Sequence, residues 1–226
     1  MEVNSSSLQK SWNEAPEAVV SRLPQYVRAL GRLLEGGTEV ISSQQLGEST
    51  QIAPAQIRND LNHFDRFGKA GRGYNVEHLL ERLKLILGLN TNWNMALLGM
   101  GRLGQAILGY PGFTSEGFHV VAAFDNNPRV VGLQVGGITV RPIEELDQVV
   151  REQNINIAIL AVPREHAQEV VDRLTECGVR AILNYAPMIA QVQQGMKIRN
   201  IDPVLALQSM TYYLTDRKIK LNEHKG

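Results

Sequence analysis

The 226-residue chain has a single cysteine, Cys177. That excludes an intrachain disulfide and any metal site built from cysteines. The five histidines (His63, His78, His119, His166 and His224) are scattered without ligand spacing, so no metal is expected. No apolar run approaches the ~20 residues of a membrane-spanning helix. Residues 1–10 are polar and serine-rich, without the apolar stretch of a secretory signal. A cytoplasmic protein with no membrane partner is expected, with Cys177 a small filler before the turn at Gly178. An excess of charge of one sign is also missing: 23 basic residues balance 23 acidic ones, and a cut at residue 90 leaves 10 of each before it and 13 of each after it. Strong nonspecific attachment to nucleic acid is thereby excluded, whereas a local basic patch is not.

The most informative motif present is Gly99-Met100-Gly101-Arg102-Leu103-Gly104, directly after the apolar run Met95-Ala96-Leu97-Leu98. It reads GxGxxG at a strand end. Asp125 lies 21 residues beyond Gly104 and closes a second apolar run, Val120 through Phe124. In a dinucleotide site the first glycine permits the tight turn, the second lets backbone approach a pyrophosphate, and the third lets helix pack on strand. The helix start supplies free N–H groups for phosphate. A carboxylate at Asp125 accepts ribose hydroxyls and repels a 2′-phosphate, which favours NAD(H) over NADP(H). The alternative is a structural glycine turn beside a solvated Asp125.

Residues 91–202 read as an open α/β sheet. Apolar runs at 95–98, 120–124, 155–162 and 179–183 are expected as buried parallel strands. Further short strands are expected at 138–140 and 197–201, with helices near 102–109, 142–153 and 163–176. A catalytic apparatus is missing: after Ile201 only one helix remains, from Pro203 to about Asp216, and His166 reads more readily as an exposed or capping side chain than as a general acid. No enzyme activity is expected.

Residues 16–87 read as a small, mainly helical domain. Leu23, Val27, Leu30 and Leu34 recur at helical spacing up to Gly36-Gly37. Val40-Ile41 is a short extended piece, Ser42 or Ser43 caps a helix through Glu48, and 50–53 is a turn. Pro54 opens a second helix to Phe64, with Ile57, Leu61 and Phe64 inward. Its other faces carry Gln56, Arg58, Asn59, Asn62 and His63. Helix, turn, then a helix bearing Gln, Arg and Asn is the pattern of a major-groove reader. Residues 67–76 follow as a glycine-rich hairpin, or wing, that can carry Lys69 and Arg72 to phosphates. Over 54–75 four basic residues face two acidic ones. The bland reading is a solvated helix and a plain surface hairpin. A helix over 77–87 and a linker over 88–94 complete this half.

A winged helix joined to a Rossmann domain resembles Rex, the bacterial family of redox-sensing transcriptional repressors. The resemblance runs in order through Arg22-Leu23-Pro24-Gln25-Tyr26, Ile41 to Leu46, Gln56-Ile57-Arg58-Asn59-Asp60-Leu61, Gly71-Arg72-Gly73-Tyr74, the phosphate turn, Ala123-Phe124-Asp125, Val162-Pro163, Asn184-Tyr185-Ala186-Pro187 and Leu207-Gln208-Ser209-Met210. It covers roughly residues 15–215. It implies an α/β protein: a disordered tail (1–15), a winged helix-turn-helix domain (16–88), a Rossmann NAD(H)-binding domain (89–202) and a swapped dimerisation helix and tail (203–226).

The resemblance further implies a homodimer that reads palindromic operator DNA and leaves it when NADH, rather than NAD+, binds. The nucleotide residues are then Gly99, Met100, Gly101, Arg102, Leu103, Gly104, Asp125, Tyr110, Val162 and Pro163, with Phe113 a further candidate near the nicotinamide. The DNA-facing residues are Ser43, Gln56, Arg58, Asn59, Lys69, Arg72, Gly73 and Tyr74. Arg28, Tyr110 and Asp202 are the candidate switch, Asp202 as a helix cap being the alternative. The chain departs from the family at Asn59, where a second basic residue is usual, and at Asp65, Ala70 and Arg102. Two other readings stay open: an NAD-dependent oxidoreductase whose N-terminal domain only dimerises, and an α/β domain for another nucleotide ligand such as coenzyme A.

Overall fold

A computed structural model describes residues 15–65, 67–68, 72–192 and 195–223, with side chains as far as Leu214. The tail expected over 1–15 lies outside these residues except for Ala15, which packs on the first core. Lys69 also lies outside them. The chain divides into two units between Thr91 and Asn92.

In the first unit a short helix α1 (Glu17–Val20) precedes α2 (Leu23–Glu35), which has Pro24 in its first turn, where a missing N–H costs nothing. Its buried residues Leu23, Tyr26, Ala29 and Leu30 recur at helical spacing, so one face enters the core. After β1 (Val40–Ile41), Ser42 caps α3 (Ser43–Thr50) in a reciprocal capping box: Gln45 N–H donates to Ser42 Oγ, and Ser42 N–H to Gln45 Oε1. α3 runs two residues past the expected end, to Thr50, and the turn shortens to 51–53. Pro54 opens α4 (Pro54–Asn62), which buries Ile57 and Leu61. Phe64 is buried just beyond it. β2 (Tyr74–Asn75) pairs antiparallel with β1, which anchors the described end of the wing to the strand ahead of α3. Asn75 caps α5 (Val76–Ile86) by accepting from His78 N–H, and α5 closes the core with Val76, Leu79, Leu80 and Leu83.

The first strand of the second unit begins earlier than the expected 95. β3 (Trp93–Leu98) takes up Trp93 and Asn94 because they pair with Phe118 and His119, which leaves a linker of only 88–92. α6 (Arg102–Leu108) and α7 (Gly112–Ser115) lead to β4 (Phe118–Asp125). Then come β5 (Gln134–Val135), β6 (Ile138–Pro142), α8 (Leu146–Glu152), β7 (Ile157–Leu160), α9 (Arg164–Glu176), β8 (Ala181–Asn184), β9 (Lys197–Asn200) and α10 (Pro203–Glu223). The sheet order is β5-β6-β4-β3-β7-β8-β9, parallel except for the β5–β6 edge. The chain works outward from β3 through β4 and β6, then restarts on its other side at β7. That reversal opens a crevice at the carboxyl ends of the strands, where ligands bind in such sheets. Leu97, Leu98, Ala122, Ala123, Phe124, Ala158, Ile159 and Leu160 are buried on both faces, as the continuous apolar runs required. α10 extends past the expected end near Asp216. No helix among the described residues is long and apolar enough to cross a membrane.

Candidate functional site

The phosphate turn has the geometry its glycines predict. Gly99 has φ +94°, and a Cβ there would lie 2.5 Å from the Ala161 carbonyl oxygen, in the loop after β7. A Cβ on Gly104 would run into the Gly99 carbonyl, so only glycine lets α6 pack this closely on its strand. Gly101 is the opposite case. Nothing lies within 4 Å of its Cβ position, which leaves backbone open to an approaching group.

Asp125, at the end of β4, leans onto this turn. Its Oδ2 accepts the Met100 N–H at 2.7 Å and its Oδ1 the Asn127 N–H at 2.8 Å. Each oxygen keeps a second lone pair for a hydroxyl. Together these groups border a cleft of about 580 Å³. By strand order, Asp125 after β4 and Ile143 after β6 stand to one side of Gly99, Gly101, Arg102 and Leu103 after β3, and Val162, Pro163, Tyr185 and Pro187 after β7 and β8 to the other. A carboxylate for ribose, an open glycine for pyrophosphate and, beyond them, Val162, Pro163 and Tyr185 beside His166, Glu169 and Arg173 fit a dinucleotide in chemistry and order.

Most expected nucleotide residues thus meet in one place. Met100 and Gly104 lie buried beneath the lining, Met100 sending only its N–H to Asp125. Tyr110 and Phe113 are not part of the lining. They pack edge to face at 5.2 Å after α6, with Tyr110 more than half exposed. His166 does line the cleft. Tyr185 and Ile143 were missed; both follow strand or loop positions at the carboxyl edge, and that placement was the available signal. Cys177 does more than fill space: its thiol donates to Asp147 Oδ1 at 2.8 Å. Burial and that bond push the thiol up to about 12, so it stays protonated and unreactive.

In the first unit α4 exposes Gln56, Arg58 and Asn59. Arg58 Nη1 donates to Ser43 Oγ at 2.9 Å, which ties α4 to the first turn of α3. At the wing Arg72 is exposed, Gly73 packs its backbone under the Ile41 carbonyl, and Tyr74 is half-buried, its hydroxyl raised by burial with Arg58 opposing.

The residue that sequence reasoning missed here is Asp60. It is fully buried on α4 and takes four hydrogen bonds. Arg22 is bidentate to it (Nε to Oδ2 at 2.6 Å, Nη2 to Oδ1 at 2.7 Å), Tyr26 Oη donates to Oδ2 at 2.6 Å, and Gln56 Nε2 to Oδ1 at 2.7 Å. Burial raises the carboxyl, but the bonds from Arg22, Tyr26 and Gln56 outweigh it and hold Asp60 below the usual carboxylate range. Burial and its bond to Asp60 raise the Tyr26 hydroxyl, and Arg22's own bonds to Asp60 raise its guanidinium.

Arg28 is exposed on α2. Asp202 Oδ1 accepts the Val204 N–H at 2.9 Å, the arrangement of an N-terminal cap for α10. On that helix Val204, Leu205, Leu207, Met210, Tyr212, Tyr213 and Leu214 are each more than half exposed.

Comparison with known proteins agrees with both halves. Residues 90–188 match a family model described as "CoA binding domain", and residues 14–62 one described as "Putative DNA-binding protein N-terminus". The redox-sensing transcriptional repressor Rex of Roseiflexus sp. (strain RS-1) is 51% identical over 94% of this chain and 96% of its own. Rex 1 of Thermotoga maritima is 38% identical over 89% and 97%. Among solved structures, RSP in complex with β-NAD+ and operator DNA superposes with a TM-score of 0.85 at 37% identity, covering 92% of this chain and 95% of that one. RSP in complex with β-NADH gives 0.82 at 35% identity, covering 92% and 98%. With an identity of one half across nearly its whole length, the chain belongs to the Rex family of redox-sensing transcriptional repressors.

Proposed function

We propose that this protein is a cytoplasmic, homodimeric repressor that holds palindromic operator DNA and releases it when NADH binds. The observation that carries this reading is the pairing, in one chain, of a helix-turn-helix exposing Gln56, Arg58 and Asn59 with a cleft whose acid and glycines fit a dinucleotide. Family membership supports it over the oxidoreductase alternative, since the relatives are named as repressors. The homologue RSP forms a complex with NAD+ and operator DNA, and another with NADH.

Gln56, Arg58 and Asn59 read bases, while Ser43, Lys69, Arg72, Gly73 and Tyr74 set the protein on the phosphates. Asp125 takes the ribose hydroxyls, the Gly99–Gly104 turn the pyrophosphate, and Val162 and Pro163 one side of the nicotinamide. Two copies joined through α10 cover its exposed apolar side chains and place two winged helices on one symmetry axis. Oxidised and reduced nicotinamide differ in charge and planarity, so the ring end of the cleft supplies the differential affinity that a switch requires. In this reading Tyr110 and Phe113, which are not in the lining, act on the nicotinamide when it is bound, and Asp202 partners Tyr110 in one state and Arg28 in the other. A gel-shift titration of the protein on its operator with NADH and NAD+ tests the reading. Release by NADH at concentrations where NAD+ leaves the complex intact is expected; indifference to both nucleotides contradicts it.

A further inference from the structure

Asp60 lies inside the winged unit, out of reach of any DNA, yet it contacts a residue placed among the base readers. As an ionised carboxylate it can only accept, and it has about four lone-pair sites. Arg22 fills two, Tyr26 a third and Gln56 Nε2 the fourth. A buried charge is tolerated only when paired and fully hydrogen-bonded, so every donor in this set is needed.

The chemistry of the acceptor decides the orientation of the Gln56 amide. Its oxygen cannot face a carboxylate oxygen at 2.7 Å, so the nitrogen does. One Nε2 hydrogen goes to Asp60. The other hydrogen and Oε1 are left near the N-terminus of α4, the part of a recognition helix that meets base edges. An acceptor next to a donor is the complement of adenine in the major groove, whose N6 amino group donates and whose N7 accepts.

We infer that Asp60 is a positioning residue for base recognition: clamped by Arg22 and Tyr26, it fixes the Gln56 amide in the one orientation that reads adenine. This rests on the repressor reading and adds to it a residue that determines specificity without touching DNA. It also gives the buried network a purpose beyond stability, because Arg22 and Tyr26 belong to α2 and Asp60 to α4.

The test uses the full-length protein on the operator it selects from random duplexes, with relative affinities measured for every single-base-pair change. Gln56→Ala should flatten the preference for A·T at one position in each half-site, by between about fivefold and a hundredfold, the range for one bidentate base contact. Asp60→Asn offers a donor in place of an acceptor, lets the Gln56 amide turn over, and should lose the preference at that same position only. The double variant should match Gln56→Ala. An Asp60→Asn profile identical to wild type, or weakened evenly at all positions, overturns the proposal, as does an unchanged profile for Gln56→Ala.

If Asp60→Asn does not fold, the side-chain amide of Gln56 decides. Its resonance, assigned by its loss in Gln56→Ala, should show one hydrogen protected from exchange in wild type; free exchange of both overturns the proposal. Failure of the wild-type protein to select any operator would instead contradict the repressor reading itself.

Discussion

The Asp125 carboxylate accepts the Met100 backbone N–H at 2.7 Å, so the acid at the end of β4 is joined to the second residue of the phosphate turn. One side chain therefore serves the ribose end of the cleft and the shape of its pyrophosphate end. Asp125→Ala should weaken NADH binding by ~1.5–3 kcal/mol, the worth of a hydrogen bond to a charged group, and narrow the gap between NADH and NADPH. Calorimetric titration with both nucleotides checks it. Unchanged NADH affinity would leave Asp125 with a structural role alone.

Two glycines of the same motif should fail in opposite ways. Gly101 has φ −67° and open space around its Cβ position, so Gly101→Ala should melt close to wild type, within ~0.5 kcal/mol, yet bind NADH at least about tenfold more weakly. Gly104→Ala drives a methyl into the Gly99 carbonyl and should lose ~1–3 kcal/mol of stability from forced backbone shifts. Thermal melts beside nucleotide titrations separate the two.

On the DNA side, Arg58→Ala should cost ~1–3 kcal/mol on the operator and relax base preference at one position. Arg72→Ala should weaken binding evenly across sequences and reduce the slope of log affinity against log salt by about one. Wild-type operator binding by a folded Arg58→Ala would exclude it as a reader.

Asp202 gives up one oxygen to the Val204 N–H, which leaves its other oxygen for a partner. Asp202→Ala should lower stability by ~1 kcal/mol through loss of the cap. It should also bind NADH and stay on its operator, and Arg28→Ala should show the same uncoupling. Gel shifts with nucleotide binding measured separately are the check; normal release by both variants rules the switch out.

The winged unit should be sensitive to acid through Asp60. Its folded-state value is held below its unfolded one, so the stabilisation is present above the unfolded value, near ~3.9. It is lost as pH falls from there through the folded value. Asp60→Asn should lower stability at neutral pH and flatten the pH dependence in that acid window. Denaturant melts at a series of pH values would show it; an unaltered slope would contradict the assignment.

Much of this was legible in residue order. The runs 95–98 and 120–124 gave central strands because a parallel sheet covered on both faces needs unbroken apolar stretches. GxGxxG gave the turn because each glycine answers a separate steric demand. Asp60 was not seen, although its position carried a signal: Ile57, Asp60, Leu61 and Phe64 share the inward face, so a carboxylate stood in an apolar register. Gln56 stands one helical turn before it, but the partners that clamp it, Tyr26 and Arg22, lie 34 and 38 residues earlier, and nothing in local spacing links them to it. The pairing of Tyr74 with Ile41 escaped for the same reason, since a bridge between two-residue strands leaves no periodic trace. Tyr185 reaches the cleft only because β8 lies beside β7, a matter of strand order rather than of sequence neighbours.

With a second copy seated on the seven apolar side chains left exposed between residues 204 and 214, abundance would become a second input to the repressor. If another copy must cover them, stability rises with chain concentration, and a dilute solution should melt at a lower temperature than a concentrated one. In a cell holding few copies, occupancy of a palindrome would then fall faster than copy number, because two chains must meet before either can grip its half-site. Gene dosage would shift the nucleotide ratio at which the regulated genes open, with no change in any binding residue.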